Sequence, residues 1–179
     1  MRTRTTVLFA VLCLTPLLLV GGACSSGEAN GTDAGGETDP NRDAQAASAG
    51  LVHVESAHDV PTTVQRLTDA LDAKGITVFN TIDHAEGAAG VDMELRPTTL
   101  VIFGNPKVGT PLMQCSQTMG IALPMKMLAW QTADGTVRLT YADPAVVAQR
   151  HNLGSECEEA VRTASTALEN FADVATSAE

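Results

Sequence analysis

Hydrophobic positions divide this chain into three stretches with different rhythms. Residues 7–20 form an apolar run behind Arg2 and Arg4, too short to cross a bilayer as a helix of about 20 apolar residues. Residues 25–50 are rich in Gly, Ala, Ser, Thr, Asp and Glu and show no apolar period. Such a segment buries too little apolar surface to offset the entropy of ordering, so it is predicted to be a disordered tether. From residue 51 to 179 strand-like and helix-like periods alternate, which predicts one compact domain.

Within that domain, residues 51–56 alternate and read as a strand. Asp59 is a helix cap with Pro61 in the first turn; Val60, Val64, Leu67 and Leu71 recur at helical spacing, and Gly75 ends the run. Strands are predicted over 76–82 and 98–103. Thr110-Pro111 reads as a helix start, with Leu112, Met113, Ser116 and Met119 on the inner face. Residues 125–131 and 136–141 read as strands around the turn signal Asp134-Gly135. Asp143-Pro144 opens a short helical turn. Ser155 with Glu158 forms a capping box for a last helix, whose inner stripe is Cys157, Val161, Ala164, Leu168, Phe171 and Ala175. This order predicts an α+β fold, a two-layer, largely antiparallel sheet with helices packed on one face.

The amino-terminal pattern bears on location. A basic head, an apolar run, the small residues Gly21, Gly22 and Ala23, then Cys24 and Ser25-Ser26 resemble a bacterial lipoprotein signal. The place three before the cysteine holds Gly21 where Leu is usual, with Val20 one step further back. An ordinary cleaved signal and an uncleaved anchor are the alternatives. The expected organisation is a signal over 1–23, a lipidated Cys24 and acidic tether over 24–50, and the domain over 51–179. Each buried methylene contributes roughly 0.8 kcal/mol, so two or three acyl chains would hold the protein at the cell membrane on its extracytoplasmic side. A tether of that length would reach on the order of 30 Å from the headgroups.

Charge narrows the partners. The chain has 11 basic and 21 acidic residues, a net charge of −10, and its balance is more acidic still without Arg2 and Arg4. Such a surface repels phosphate backbones and anionic lipid heads. Aromatic residues at 3% also leave little for base stacking, so no nucleic-acid partner is expected.

Three segments carry a family resemblance. They are Ile82-Asp83-His84-Ala85, then Leu95-Arg96-Pro97-Thr98-Thr99-Leu100, then Phe103-Gly104-Asn105-Pro106-Lys107-Val108-Gly109-Thr110-Pro111-Leu112-Met113. Together they resemble the bacterial family called domain of unknown function 302, over residues 51 to about 153, with Leu123-Pro124 and Tyr141-Ala142-Asp143-Pro144 in support. The resemblance implies a small two-layer fold with a single antiparallel sheet, and no activity. The acidic tether, Cys115 and Cys157 stand outside the family pattern and look like adaptations to export.

Six polar residues are candidates for a ligand-binding rim: Asp83, His84, Glu94, Arg96, Asn105 and Lys107. Glu94 and Arg96 share one side of an extended segment that Pro97 helps to keep extended. Asn105 and Lys107 lie after the third strand. If the second and third strands are neighbours, all six converge at one edge. A histidine beside carboxylates suits proton transfer or metal binding; an Asp cap, a turn histidine and an Arg–Glu pair are the bland alternative. The loop 104–110 leads into a helix start that would hold a small anion with Lys107, though the lysine and donor pattern of a P-loop is absent.

No cofactor and no metal site are predicted. His53, His58, His84 and His151 lack the close spacing of zinc ligands. Met93, Met113, Met119, Met125 and Met127 suggest copper(I), yet four of the five fall at core positions, where methionine packs well. Cys115 and Cys157 remain once Cys13 leaves with the signal and Cys24 is acylated. Outside the cytoplasm such a pair favours a disulfide, with two buried thiols as the alternative. The leading expectation is a non-enzymatic domain that binds a small ligand or a protein partner. The alternatives are an enzyme using His84 with a carboxylate, and metal (copper) or redox handling. Oligomeric state is not legible.

Overall fold

The structure, a computed structural model, describes residues 49–178. The expected signal, Cys24 and nearly all of the expected tether lie outside the described residues. Five strands form one sheet: β1 (Leu51–Ser56), β2 (Thr77–Asp83), β3 (Thr98–Gly104), β4 (Met125–Gln131) and β5 (Val137–Ala142). They lie in the order β1-β5-β4-β3-β2, and every neighbouring pair is antiparallel. The fold is α+β, as expected.

Among the described residues five α-helices accompany the sheet: α1 (Val60–Ala73), α2 (His84–Ala89), α3 (Pro106–Cys115), α4 (Pro144–Arg150) and α5 (Glu158–Thr176). The Asp59 carboxylate caps α1 by accepting from the Thr62 N–H at 2.8 Å. Hydrogen bonding from the Thr62 side chain, and then from its N–H, holds the Asp59 carboxyl below the usual carboxylate range. Asp143 caps α4 in the same way through Ala145. The β4–β5 hairpin closes at Gly135, whose φ of +90° is open to glycine.

Alternation sorts the strands into two faces. Val101 and Phe103 of β3, Met127 and Ala129 of β4, and Leu139 and Tyr141 of β5 face Leu67, Leu71, Leu168 and Ala172 of α1 and α5. A smaller cluster at one end of the sheet joins Leu112 of α3, Met119 of the 3-10 helix Gln117–Ile121, and Ala164 of α5. Cys115 and Cys157 are bridged beside it, with Cα atoms 6.2 Å apart and a sequence separation of 42. No helix among the described residues is long and apolar enough to cross a membrane.

Two expected boundaries differ. The third helix begins at Pro106 with Asn105 as its cap, so Thr110-Pro111 lies inside it. Asn105 followed by Pro106 supplies both a side-chain acceptor and a first residue that needs no donor, which is the stronger start. The capping box at Ser155 does not form. Ser155 belongs to a 3-10 turn, Ser155–Cys157, and α5 starts after it with no side-chain cap. The short helix α2 was not expected; the Asp83 carboxylate starts it by capping Ala85 and Glu86.

Candidate functional site

Register decides the fate of the expected rim. Asp83 pairs with Thr99, while Thr77 pairs with Gly104 at the other end of the same two strands. Seven residues of β3 span about 20 Å. Asp83, His84, Glu94 and Arg96 therefore gather at one end of the strand and Asn105 and Lys107 at the other. The six residues do not form one rim.

Each half has local work. The Asp83 carboxylate accepts from Ala85 N at 2.9 Å and Glu86 N at 3.0 Å. Arg96 Nε donates to the Gln131 carbonyl at 3.0 Å, and Gln131 N donates to the Pro97 carbonyl, which ties the segment to β4. His84 and Glu94 are exposed. At the other end Asn105 Oδ1 accepts from Lys107 N at 2.9 Å, and the Asn105 carbonyl accepts from Val108 N and Gly109 N. Pro106 has no donor. The first turn of α3 thus keeps no unpaired amide for an anion, and the exposed Lys107 has no nest beside it.

What the 103–113 segment builds is apolar. Gly104 lets the Phe79 ring approach closely; a Cβ there would lie 3.2 Å from Phe79 Cε2. Gly109 faces Leu123 Cδ1 at a corresponding 3.4 Å, and Leu123 leads into the cis peptide before Pro124. Phe79, Val108, Met113, Leu123, Pro124 and Met125 wall a groove of about 320 Å³. Phe79 stays 57% exposed, because a bulge at Val78–Asn80 breaks the alternation there.

Across the 119–125 segment lies a second cleft of about 410 Å³, which shares Leu123 and Met125 with the groove. Its floor is Leu100 and Leu128 of the sheet, its walls are Met119 and Val147, and Lys126, Arg150 and His151 stand around it. Lys126 Nζ donates to the Ala122 carbonyl at 3.1 Å, and an Arg150 N–H donates to the Ala49 carbonyl. His151 Nδ1 lies 2.9 Å from Thr118 Oγ1, which lies 2.9 Å from Ser116 Oγ. No carboxylate lines this cleft. Asp143, Glu169 and Asp173 line an adjoining groove, which shares Tyr141 and Pro144 with the cleft. Burial pushes the Tyr141 hydroxyl pKa above its ordinary value, and those three carboxylates push it the same way.

Sequence reasoning missed Phe79, Leu123, Arg150 and His151 as site residues. An aromatic residue inside a mostly polar strand was the one signal for Phe79; nothing in the sequence announced that α4 would fold beside residues 117–121. Among the described residues no three His, Cys, Asp or Glu side chains gather as a metal site.

Comparison with known proteins agrees with the fold. The family model described as domain of unknown function DUF302 matches residues 52–171. A protein of Brucella suis biovar 1 (strain 1330) named fluoride-specific ion channel FluC 1 is 46% identical over 114 residues, 64% of this chain and 45% of its own length. FluC 2 of Brucella melitensis biotype 1 is also 46% identical over 114 residues, which is 42% of its length. The match thus spans less than half of these relatives. The crystal structure of an uncharacterized conserved protein DUF302 from Bacillus stearothermophilus superposes with a TM-score of 0.64 at 18% identity, covering 70% of this chain and 98% of that one. That likeness establishes the fold.

Proposed function

The chain belongs to the family described as domain of unknown function DUF302, and from that premise we propose that it is a membrane-tethered, non-enzymatic binding module that takes an apolar ligand at one end of its sheet. One observation carries the reading. Residues of the 103–113 motif, with Leu123-Pro124, line an open apolar groove beside an exposed Phe79. Exposed apolar surface of this kind is retained where something is bound. The expected catalytic pair gives less support, since the Asp83 carboxylate is committed to capping α2.

Attachment through an acylated Cys24 supplies the location. Relatives named as fluoride-specific ion channels carry the matching stretch within longer chains, which supports a working place at a membrane. Channel activity is not carried over from proteins of which less than half is matched. Mass spectrometry of the mature amino terminus tests the anchor: a diacylated or triacylated Cys24 is expected, and a retained, unmodified Met1 overturns it. For the groove, the full chain should enhance the fluorescence of the neutral probe N-phenyl-1-naphthylamine. Val108→Asp should abolish most of that signal at an unchanged circular dichroism spectrum. No enhancement by the native protein overturns the reading.

A further inference from the structure

We propose that the cleft between residues 117–121 and α4 binds an anionic amphiphile, a single carboxylate or phosphate head carrying a linear apolar tail. The proposal goes beyond the groove reading: the cleft is a second cavity, joined to the groove only through Leu123 and Met125.

Chemistry of the walls carries it. The volume of about 410 Å³ falls within the roughly 300–1,000 Å³ of small-molecule sites. Leu100, Leu128, Leu123 and Val147 offer a tail only apolar surface. At the rim stand Lys126 and Arg150, each tied to one backbone carbonyl and each with further N–H donors to give. His151 is oriented through Nδ1 by Thr118, which leaves its Nε2 for a head group. A cationic rim runs against the character of a chain with net charge −10, and no acid is among the residues lining the cleft. The acids Asp143, Glu169 and Asp173 are sorted into the neighbouring groove. An anion is attracted at the rim and repelled beyond Tyr141, so the head has one favourable place. A neutral or cationic head gains nothing from this arrangement.

The test titrates the full chain with dodecanoate and with neutral dodecanol by calorimetry, below their aggregation concentrations. Dodecanoate is expected to bind about tenfold more tightly than dodecanol. Lys126→Glu and Arg150→Glu should each weaken dodecanoate about tenfold while leaving dodecanol unchanged. Lys74→Glu, the same charge change outside the cleft, should alter neither. Both cleft substitutions are at exposed positions, and matching thermal melts would verify the fold. Titration of the full chain with lauroyl-lysophosphatidylglycerol, below its aggregation concentration, separates the sources: binding tighter than dodecanoate and weakened by Lys126→Glu assigns a lipid head, and binding weaker than dodecanoate assigns a free acid. Equal affinity for both amphiphiles overturns the anionic assignment and leaves the binding module standing. Binding of neither amphiphile overturns this proposal whatever the naphthylamine probe does, and failure of the probe as well overturns both readings.

Discussion

Thr140 and Tyr141, adjacent on β5, show what alternation imposes on single residues. Thr140 Oγ1 accepts from Trp130 Nε1 at 2.8 Å and lies 2.7 Å from His53 Nδ1, joining three strands on the face away from α1 and α5. Valine has the same shape without the acceptor. Thr140→Val should therefore cost about 1–3 kcal/mol, the penalty of leaving buried polar groups unpaired. Urea unfolding would measure this, and Trp130, the single tryptophan, should shift its emission in the folded state. Tyr141 points to the opposite face, and its raised pKa has a definite sign. The native state holds the phenolic proton more tightly than the unfolded chain does. Its stabilising contribution is therefore full below about pH 10 and is lost as pH rises through the higher native value. Tyr141→Phe should flatten the alkaline fall in stability, and melts at stepped pH above about 9 would reveal it. A parallel loss in both proteins would remove Tyr141 as the cause.

Helix α3 is where local signals competed. Two start signals lie close together, Asn105-Pro106 and Thr110-Pro111. Gly104, Asn105 and Pro106 also read as loop residues, each for its own conformational reason. The Asn105 side chain settles the start by capping Lys107. Asn105→Ala should lower stability by about 1 kcal/mol, whereas Thr110→Ala, an exposed interior position, should change it by less than about 0.5 kcal/mol. Chemical denaturation of the two variants side by side checks the assignment, and equal losses would refute it. By contrast the strands at 51–56 and 125–131 and the turn at Asp134-Gly135 were legible, because alternation and turn chemistry are local. The Ser155 capping box failed for a reason beyond its own residues. Gly154 to Cys157 wind into a 3-10 turn that brings Cys157 to Cys115.

At the scale of the molecule, the fold was legible and the site was not. The six polar residues were grouped on neighbouring strands; antiparallel register then set them at opposite ends of β3. The groove and cleft are assembled by long-range approaches of Phe79, Leu123 and Arg150 that no spacing encodes. The same end of the molecule carries the disulfide, which ties the last residue of α3 to the turn before α5. A closure of 42 residues restricts the unfolded chain enough to stabilise by about 4 kcal/mol in the chain-entropy model. Leu112 and Met119, which pack beside it, also support the wall that both cavities share. Reduction should therefore do two things together. It should lower the urea midpoint by an amount matching a loss of that order, and it should weaken naphthylamine uptake under conditions where the sheet remains folded. The double variant Cys115→Ala, Cys157→Ala should reproduce both effects without reductant. If stability falls while uptake holds, the bridge braces α5 and not the groove; if neither changes, the two sulfurs are unbridged in the native protein.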